Sequence, residues 1–236
     1  MKLTVLGNRG PLPLPGEACS SYLLESDGHF LMIDAGSASL PHLLQQAQLA
    51  QVDALILSHL HFDHCSDALV MQYSLKNQPM RLICPAEPGS VKEALLSFGG
   101  FVWEEAKQGE TVSVGPFCVK FGPARHPVPC VSVRVECEGR VFAYTGDSNT
   151  CPEQVQALQG ADLLLADAGM LPSVWTEASP HRTPEMCGEL AAACKTARLM
   201  LTHFGPAQDP KTSCREAAAA FSGEILAARV DEQIRI

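Results

Sequence analysis

A chain of 236 residues, 46% of them hydrophobic, can bury a layered core without disulfides and without a partner to supply bulk. A formal net charge of -9 and a sequence pI near 5.3 would repel a phosphate backbone over most of the surface, and no run of Lys or Arg offers a local exception, so a large nucleic-acid substrate is disfavoured. The ten cysteines are scattered from Cys19 to Cys214 with no C-x-x-C pair, which argues against a disulfide scaffold and for reduced thiols in the cytoplasm.

In chain order, strands are expected near Leu3 to Leu6, Ser21 to Glu25 and Phe30 to Ile33, then a helix near Pro41 to Leu49 and a strand at Ala54 to Leu57. After a histidine cluster come a helix near Ser66 to Tyr73, a strand at Arg81 to Cys84, a helix near Ser90 to Phe98, and strands near Thr111 to Val114 and Phe117 to Phe121. The second half offers a hairpin of Val131 to Val135 with Val141 to Tyr144, a helix near Pro152 to Leu158 and a strand at Asp162 to Ala166. A helix from Pro184 to Cys194, a strand at Arg198 to Thr202 and a terminal helix near Pro210 to Phe221 close the pattern.

Two successive halves of mixed strands trailing helices predict two packed sheets with helices on both outer faces, a four-layer αββα sandwich. Gly and Pro clusters at Gly10 to Gly16, His126 to Pro129 and Leu171 to Pro184 mark loops, none biased enough to be a linker, so one domain over residues 1–236 is expected. The amino-terminal strand meets Asn8, Arg9 and Gly10 before a signal-peptide core could develop, and no apolar run reaches membrane-spanning length; both point to the cytoplasm.

Directly after the apolar run Ile56-Leu57-Ser58 stand His59-Leu60-His61-Phe62-Asp63-His64, four metal-ligating side chains in six positions. Imidazoles suit zinc and manganese, and the added carboxylate allows a neighbouring second ion to be held. A bound ion lowers the pKa of water from about 15.7 to about 7, so no Ser or Cys nucleophile is required, and Ser58 and Cys65 read as packing residues.

The H-x-H-x-D-H run resembles the signature of the metallo-β-lactamase superfamily, and the resemblance continues in chain order. Asp34 in Ile33-Asp34-Ala35-Gly36, His126 in Arg125-His126-Pro127, Asp147 in Gly146-Asp147-Ser148 and His203 in Thr202-His203-Phe204 match the family's later positions. The resemblance implies the metallo-β-lactamase fold and two divalent ions, zinc or manganese. By the same carry-over His59, His61 and His126 hold one ion and Asp63, His64 and His203 the other, with Asp147 and a hydroxide between them. Asp63 is counted as catalytic as well as ligating.

The glyoxalase and lactamase branches place their third histidine in a glycine-bounded H-[ST]-x-G segment, whereas here His126-Pro127-Val128-Pro129-Cys130 is similar to the ribonuclease Z and phosphodiesterase side. Pro180-His181-Arg182-Thr183 resembles that branch's H-x-T element. This implies His181 as general acid or charge stabiliser, with Thr183 also placed to cap a helix. The glutamate that pairs with this histidine in the family is Asp167 here, and the histidine preceding it is Ala166. The interval from His126 to Asp147 is too short for the substrate arm of tRNA-maturing members, which with the acidic balance favours a small phosphodiester such as a cyclic nucleotide. The ligand set equally admits a carboxylic-ester, thioester or lactone hydrolase, and the changes at Ala166 and Asp167 admit a catalytically weak metal-binding or regulatory protein. The family also implies a homodimer.

Overall fold

The structure, a computed structural model, describes residues 1–87 and 89–236. The first sheet takes its strands from β1 (Lys2–Gly7), β2 (Ser21–Ser26), β3 (His29–Ile33), β4 (Val52–Ile56), β5 (Met80–Cys84) and β6 (Phe101–Glu105). The second is built from β7 (Thr111–Val114), β8 (Phe117–Pro123), β9 (Val131–Cys137), β10 (Arg140–Tyr144), β11 (Leu163–Asp167), β12 (Arg198–Thr202) and β13 (Glu224–Ala227). The final strand, β14 (Gln233–Arg235), returns to the first sheet. The spatial orders are β14-β1-β2-β3-β4-β5-β6 and β13-β12-β11-β10-β9-β8-β7.

Alternation along the strands explains the layers. In β1, Leu3 and Val5 point between the sheets while Leu6 points to the outer face; in β4, Ala54 and Ile56 point inward and Leu55 outward. The inner core runs from these residues to Phe117, Phe121, Val133, Phe142, Leu165 and Met200 of the second sheet. Helices α1 (Leu40–Gln46), α2 (Phe62–Leu75) and α3 (Ser90–Leu96) belong to the first half of the chain, and α4 (Glu153–Leu158), α5 (Pro184–Ala193) and α6 (Pro210–Ala217) to the second. Leu43 of α1 and Cys65, Ala68 and Met71 of α2 close one outer core, and Cys187, Leu190 and Ala217 of α5 and α6 close the other. This is the expected αββα sandwich. No helix among the described residues is long and apolar enough to cross a membrane.

Four differences from the sequence pattern have physical causes. Strands β6, β13 and β14 were not expected, and all three lie at sheet edges, where short segments carrying Glu104, Glu105, Glu224 or Arg235 lack the apolar alternation of a central strand. Helix α2 begins at Phe62 rather than Ser66, inside the histidine cluster, and so carries Asp63 in its first turn, where the helix dipole favours a carboxylate. The terminal helix stops at Ala217, and residues 218–220 turn so that Phe221 N–H still bonds Ala217 O at 3.2 Å. The helix expected to reach Leu49 ends at Gln46 and is followed by a 3-10 turn, Leu49–Gln51.

Parallel pairing decides where the chemistry collects. Strands β3, β4, β5 and β6 are parallel, as are β10, β11, β12 and β13. Asp34, His59 to His64, Asp147, Asp167 and His203 therefore leave or end their strands at carboxyl ends, the edge where open α/β sheets present their sites.

Candidate metal centre

The loop after β4 delivers His59 and His61, the first turn of α2 delivers Asp63 and His64, and the β8–β9 connection delivers His126. Asp147 follows β10 and His203 follows β12. One ring-nitrogen group forms from His59, His61 and His126: His61 Nδ1 lies 3.1 Å from His59 Nε2 and 3.0 Å from His126 Nε2. A second group gathers Asp63, His64, Asp147 and His203, with His203 Nε2 at 3.1 Å from Asp63 Oδ2 and 3.3 Å from Asp147 Oδ2. Asp147 stands between the groups, its Oδ2 3.2 Å from His64 Nε2 and 3.7 Å from His59 Nε2.

The donor set fits divalent cations. Metal binding requires neutral imidazoles and ionised carboxylates. Burial pushes His59 well below the ordinary histidine range and lowers His126 as well, so both favour the neutral form. For Asp147 burial opposes the charge, but His203, His64 and His59 outweigh it and hold the carboxyl well below its usual range; Asp63 is lowered the same way by His203 and His64. His64 is raised, because Asp147 and Asp34 overcome its burial; a cation between these groups would take the place of that proton. Two buried atoms of the group, His64 Nε2 and Asp147 Oδ1, have no hydrogen-bond partner among the described residues. Buried polar atoms are rarely left so, and a metal ion supplies what each lacks.

Beside these groups lies His181, in the connection from β11 to α5. Its Nδ1 is 2.8 Å from Asp167 Oδ2 and 3.7 Å from Asp147 Oδ2. The aspartate thus reaches the histidine despite being shorter than the glutamate of the resembled family. Burial lowers the imidazole's affinity for a proton, but Asp167 outweighs it, by charge and by hydrogen bond, and raises His181 to about 9. Asp167 is fixed in turn by Ser148 N–H at 3.0 Å and Gly169 N–H at 2.9 Å. Thr183 caps α5, its hydroxyl accepting from Met186 N–H at 3.4 Å, as expected of it.

Several side chains that shape this centre carry no sequence signal of their own. Ser58 does more than pack: its Oγ lies 3.0 Å from Asp34 Oδ2 and 3.0 Å from His59 Nδ1, tying a candidate ligand to a buried carboxylate. Asp34 also accepts from Ser58 N–H at 2.7 Å and Tyr144 Oη–H at 3.0 Å, and pairs with His64 Nδ1 at 2.8 Å. Asn149, two residues past Asp147, donates from Nδ2 to Ser179 O at 2.6 Å and Glu177 O at 3.2 Å, pinning the loop that ends in His181. Cys65, by contrast, is buried and free, bonds only Leu60 O, and burial pushes its thiol up to about 12; packing describes it well. Two glycines seat His203: a Cβ on Gly10 would fall 2.0 Å from its Nε2, and one on Gly169 would fall 2.7 Å from its Nδ1.

The whole chain is similar to known proteins of this architecture. It is 27% identical over 97% of its length to the probable metallo-hydrolase YhfI of Bacillus subtilis, covering 97% of that protein. The crystal structure of YhfI, described as a metallo-beta-lactamase fold protein, superposes with a TM-score of 0.90 at 25% identity, covering 99% of each chain. It is 26% identical to a protein named ribonuclease Z of Mycobacterium tuberculosis, over 95% of this chain and 94% of that one. A diphosphatase of the PhnP family shares the fold with a TM-score of 0.76 at 18% identity, covering 100% of this chain and 97% of that one. The family model described as the beta-lactamase superfamily domain matches residues 29–204, from the start of β3 to just past His203, and the chain belongs to that superfamily.

Proposed function

We propose that the chain is a metal-dependent hydrolase holding two divalent ions, zinc or manganese, and acting on a small phosphodiester such as a cyclic nucleotide. In this reading residues 1–236 are one hydrolase domain at work in the cytoplasm. His59, His61 and His126 would hold one ion, Asp63, His64 and His203 the other, with Asp147 shared. Bound there, the ions would supply Lewis acidity and a deprotonated water near neutral pH. The observation that carries the phosphodiester reading is the His181–Asp167 pair, set against Asp147.

Asp167 raises His181 above the ordinary histidine range and engages its Nδ1, so a proton for the departing alkoxide would come from Nε2. In the same charged form His181 would offset negative charge developing on the phosphoryl oxygens, as preorganised donors do. As the P–O bond to the leaving group breaks, that oxygen takes the proton, and His181 regains one from solvent. The names of two similar proteins, a ribonuclease Z and a diphosphatase, support phosphoryl chemistry. Between His126 and Asp147 the chain is occupied by the β9–β10 hairpin, paired in register from Val133 with Tyr144 to Cys137 with Arg140, so a tRNA-binding arm has no place in that interval. That supports a small substrate.

The test is hydrolysis of bis-p-nitrophenyl phosphate by zinc- or manganese-loaded protein beside an identically prepared Asp147→Ala variant. Turnover by the parent and its loss by at least about a thousandfold in the variant are expected. An active Asp147→Ala protein would undo the reading. A parent that binds metal and turns over lactones or thioesters but not the diester would replace the phosphodiesterase with a carbonyl hydrolase.

A further inference from the structure

Arg182 follows His181 directly and is 3% exposed. Among the described residues it forms no ion pair. Its guanidinium is directed instead at two neutral oxygens, Nη1 donating to Ser148 O at 3.0 Å and Nη2 to Gln154 Oε1 at 2.7 Å. A cation buried without a paired counter-charge is costly, and an apolar side chain of similar length could fill the same space. What a guanidinium adds is a rigid fork that fixes two acceptors at once.

Both acceptors lead to the loop of Asp147. Ser148 comes immediately after Asp147, and its backbone is held at both ends: its N–H donates to Asp167 Oδ2 at 3.0 Å, and its carbonyl accepts from Arg182. Asp167 Oδ2 also holds His181 Nδ1 at 2.8 Å, so the chain from His181 to Arg182 closes a ring that runs Ser148, Asp167, His181, Arg182 and back to Ser148. Gln154, buried in α4, carries a second arm. While its Oε1 accepts from Arg182, its Nε2 donates to Thr145 O at 2.9 Å and to Pro123 O at 3.0 Å. Thr145 opens the loop of Asp147, and Pro123 ends β8 just ahead of His126. Other ties of the His181 segment, such as Met170 N–H to Arg182 O at 3.1 Å and Asn149 Nδ2 to Ser179 O at 2.6 Å, do not use the Arg182 side chain. The segment therefore keeps backbone anchors when that side chain is replaced.

We propose that Arg182, with Gln154 behind it, is a positioning residue that fixes His181 against Asp167 and Asp147, and so governs how well His181 delivers a proton to the leaving group. Its guanidinium is committed to Ser148 and Gln154, so it acts through His181 rather than on a substrate. The proton-delivery half rests on the phosphodiesterase reading. The other half, that the ring immobilises the bond between His181 and Asp167, does not.

Two measurements on zinc-loaded parent, Arg182→Met and Gln154→Met, at matched metal content, test the two halves. Gln154→Met cuts the second arm and keeps the test open should Arg182→Met fail to fold. The first measurement follows exchange with water of the His181 Nδ1 proton by NMR, its resonance assigned by its loss in His181→Ala. Exchange at least about tenfold faster in the variants, beyond any change in the backbone amides of β11, is expected. The second compares kcat/KM on diphenyl phosphate and bis-p-nitrophenyl phosphate. Phenolate, with a pKa of about 10 like that of tyrosine, needs a proton as it leaves, whereas p-nitrophenolate is a much weaker base and departs without one. The variants should lose at least about tenfold more on diphenyl phosphate, the same bias as in His181→Ala, while general damage to fold or metal centre lowers both rates alike. Exchange at the parent rate overturns the proposal. Faster exchange with equal losses on the two diesters overturns the proton-delivery role of Arg182 if His181→Ala shows the bias. If His181→Ala lacks it, or the parent hydrolyses neither diester, the phosphodiesterase reading fails and takes that role with it, while the exchange rates still decide the ring.

Discussion

Replacing Gly10 by alanine should cost the protein metal rather than merely stability. The added Cβ would stand 2.0 Å from His203 Nε2, 2.2 Å from Cε1 and 2.5 Å from Cδ2, against an ordinary carbon contact of about 3.5 Å. Ring or loop must therefore move by more than about 1 Å, and a ligand constellation tolerates about half an ångström. Gly169 closes the opposite side of the ring, within 2.7 Å of where its own Cβ would lie, so the imidazole has little room to retreat. Overpacking of this kind costs about 1–3 kcal/mol. If that energy falls on the seating of His203, it lowers affinity for an ion in the group of Asp63, His64, Asp147 and His203 by about 5- to 140-fold, at 1.4 kcal/mol per decade. Competition against a chromophoric chelator reads that affinity directly. Gly109→Ala is the control: its Cβ meets nothing within 4 Å while its φ of +86° still strains an alanine, so it should lower the melting temperature with metal affinity unchanged. Equal metal affinity in Gly10→Ala and the parent would refute the reasoning.

Two further substitutions probe the groups behind the ligands. Ser58→Ala removes the hydroxyl between Asp34 and His59, and metal affinity should fall about 10- to 100-fold in the same chelator competition; an unchanged affinity would return Ser58 to a packing role. Asp167→Asn should bring the NMR titration midpoint of His181 in metal-free protein down from about 9 to the ordinary 6.5 or below, since burial then lacks its main opponent, a change worth at least on the order of 3 kcal/mol. Because the folded value is the raised one, the stability it contributes is fully present below about 6.5 and disappears as pH rises through about 9. The parent's unfolding free energy should therefore fall over that window more steeply than the variant's, and parallel curves would count against the pair.

Much of this was legible because the signals are local. Alternating apolar residues in β8, with Phe117, Val119 and Phe121 buried and Cys118 and Lys120 exposed, mark a strand wherever it sits. Three histidines and an aspartate within six residues mark a metal loop for the same reason. What stayed hidden depends on long-range partners. Strands β13 and β14 are only four and three residues long and close sheet edges, a position no local window reveals. Nothing near Ser58, Tyr144 or Asn149 announces a role, since each acts on a residue brought to it by the fold: Tyr144 meets Asp34 across 110 positions and Asn149 holds Ser179 across 30. Gly10 is the same case, its need for a missing side chain arising only from His203.

Asp34 shows why the two sheets must be docked before the centre can work. It follows β3 in the first sheet, and its carboxylate receives Ser58 N–H, at the edge of β4, and pairs with His64 on α2. Tyr144, which donates to the same carboxylate, ends β10 in the second sheet, immediately before the loop of Asp147. One buried carboxylate therefore fixes the relative position of His59, His64 and Asp147, candidate ligands drawn from both sheets. Its backbone adopts φ +58°, and His203 adopts φ +59°, a region that side-chain-bearing residues rarely occupy and that costs of order 1–3 kcal/mol each. Such conformations persist where surrounding contacts over-determine them, and here the over-determination comes from the hydrogen bonds converging on Asp34 and from the glycines packed on His203. Local preference would relax both residues; relaxing either would separate ligands that the sandwich has brought within one ion's reach. The strain and the metal centre are thus two sides of the same packing, which is why substitutions aimed at one should be read out on the other.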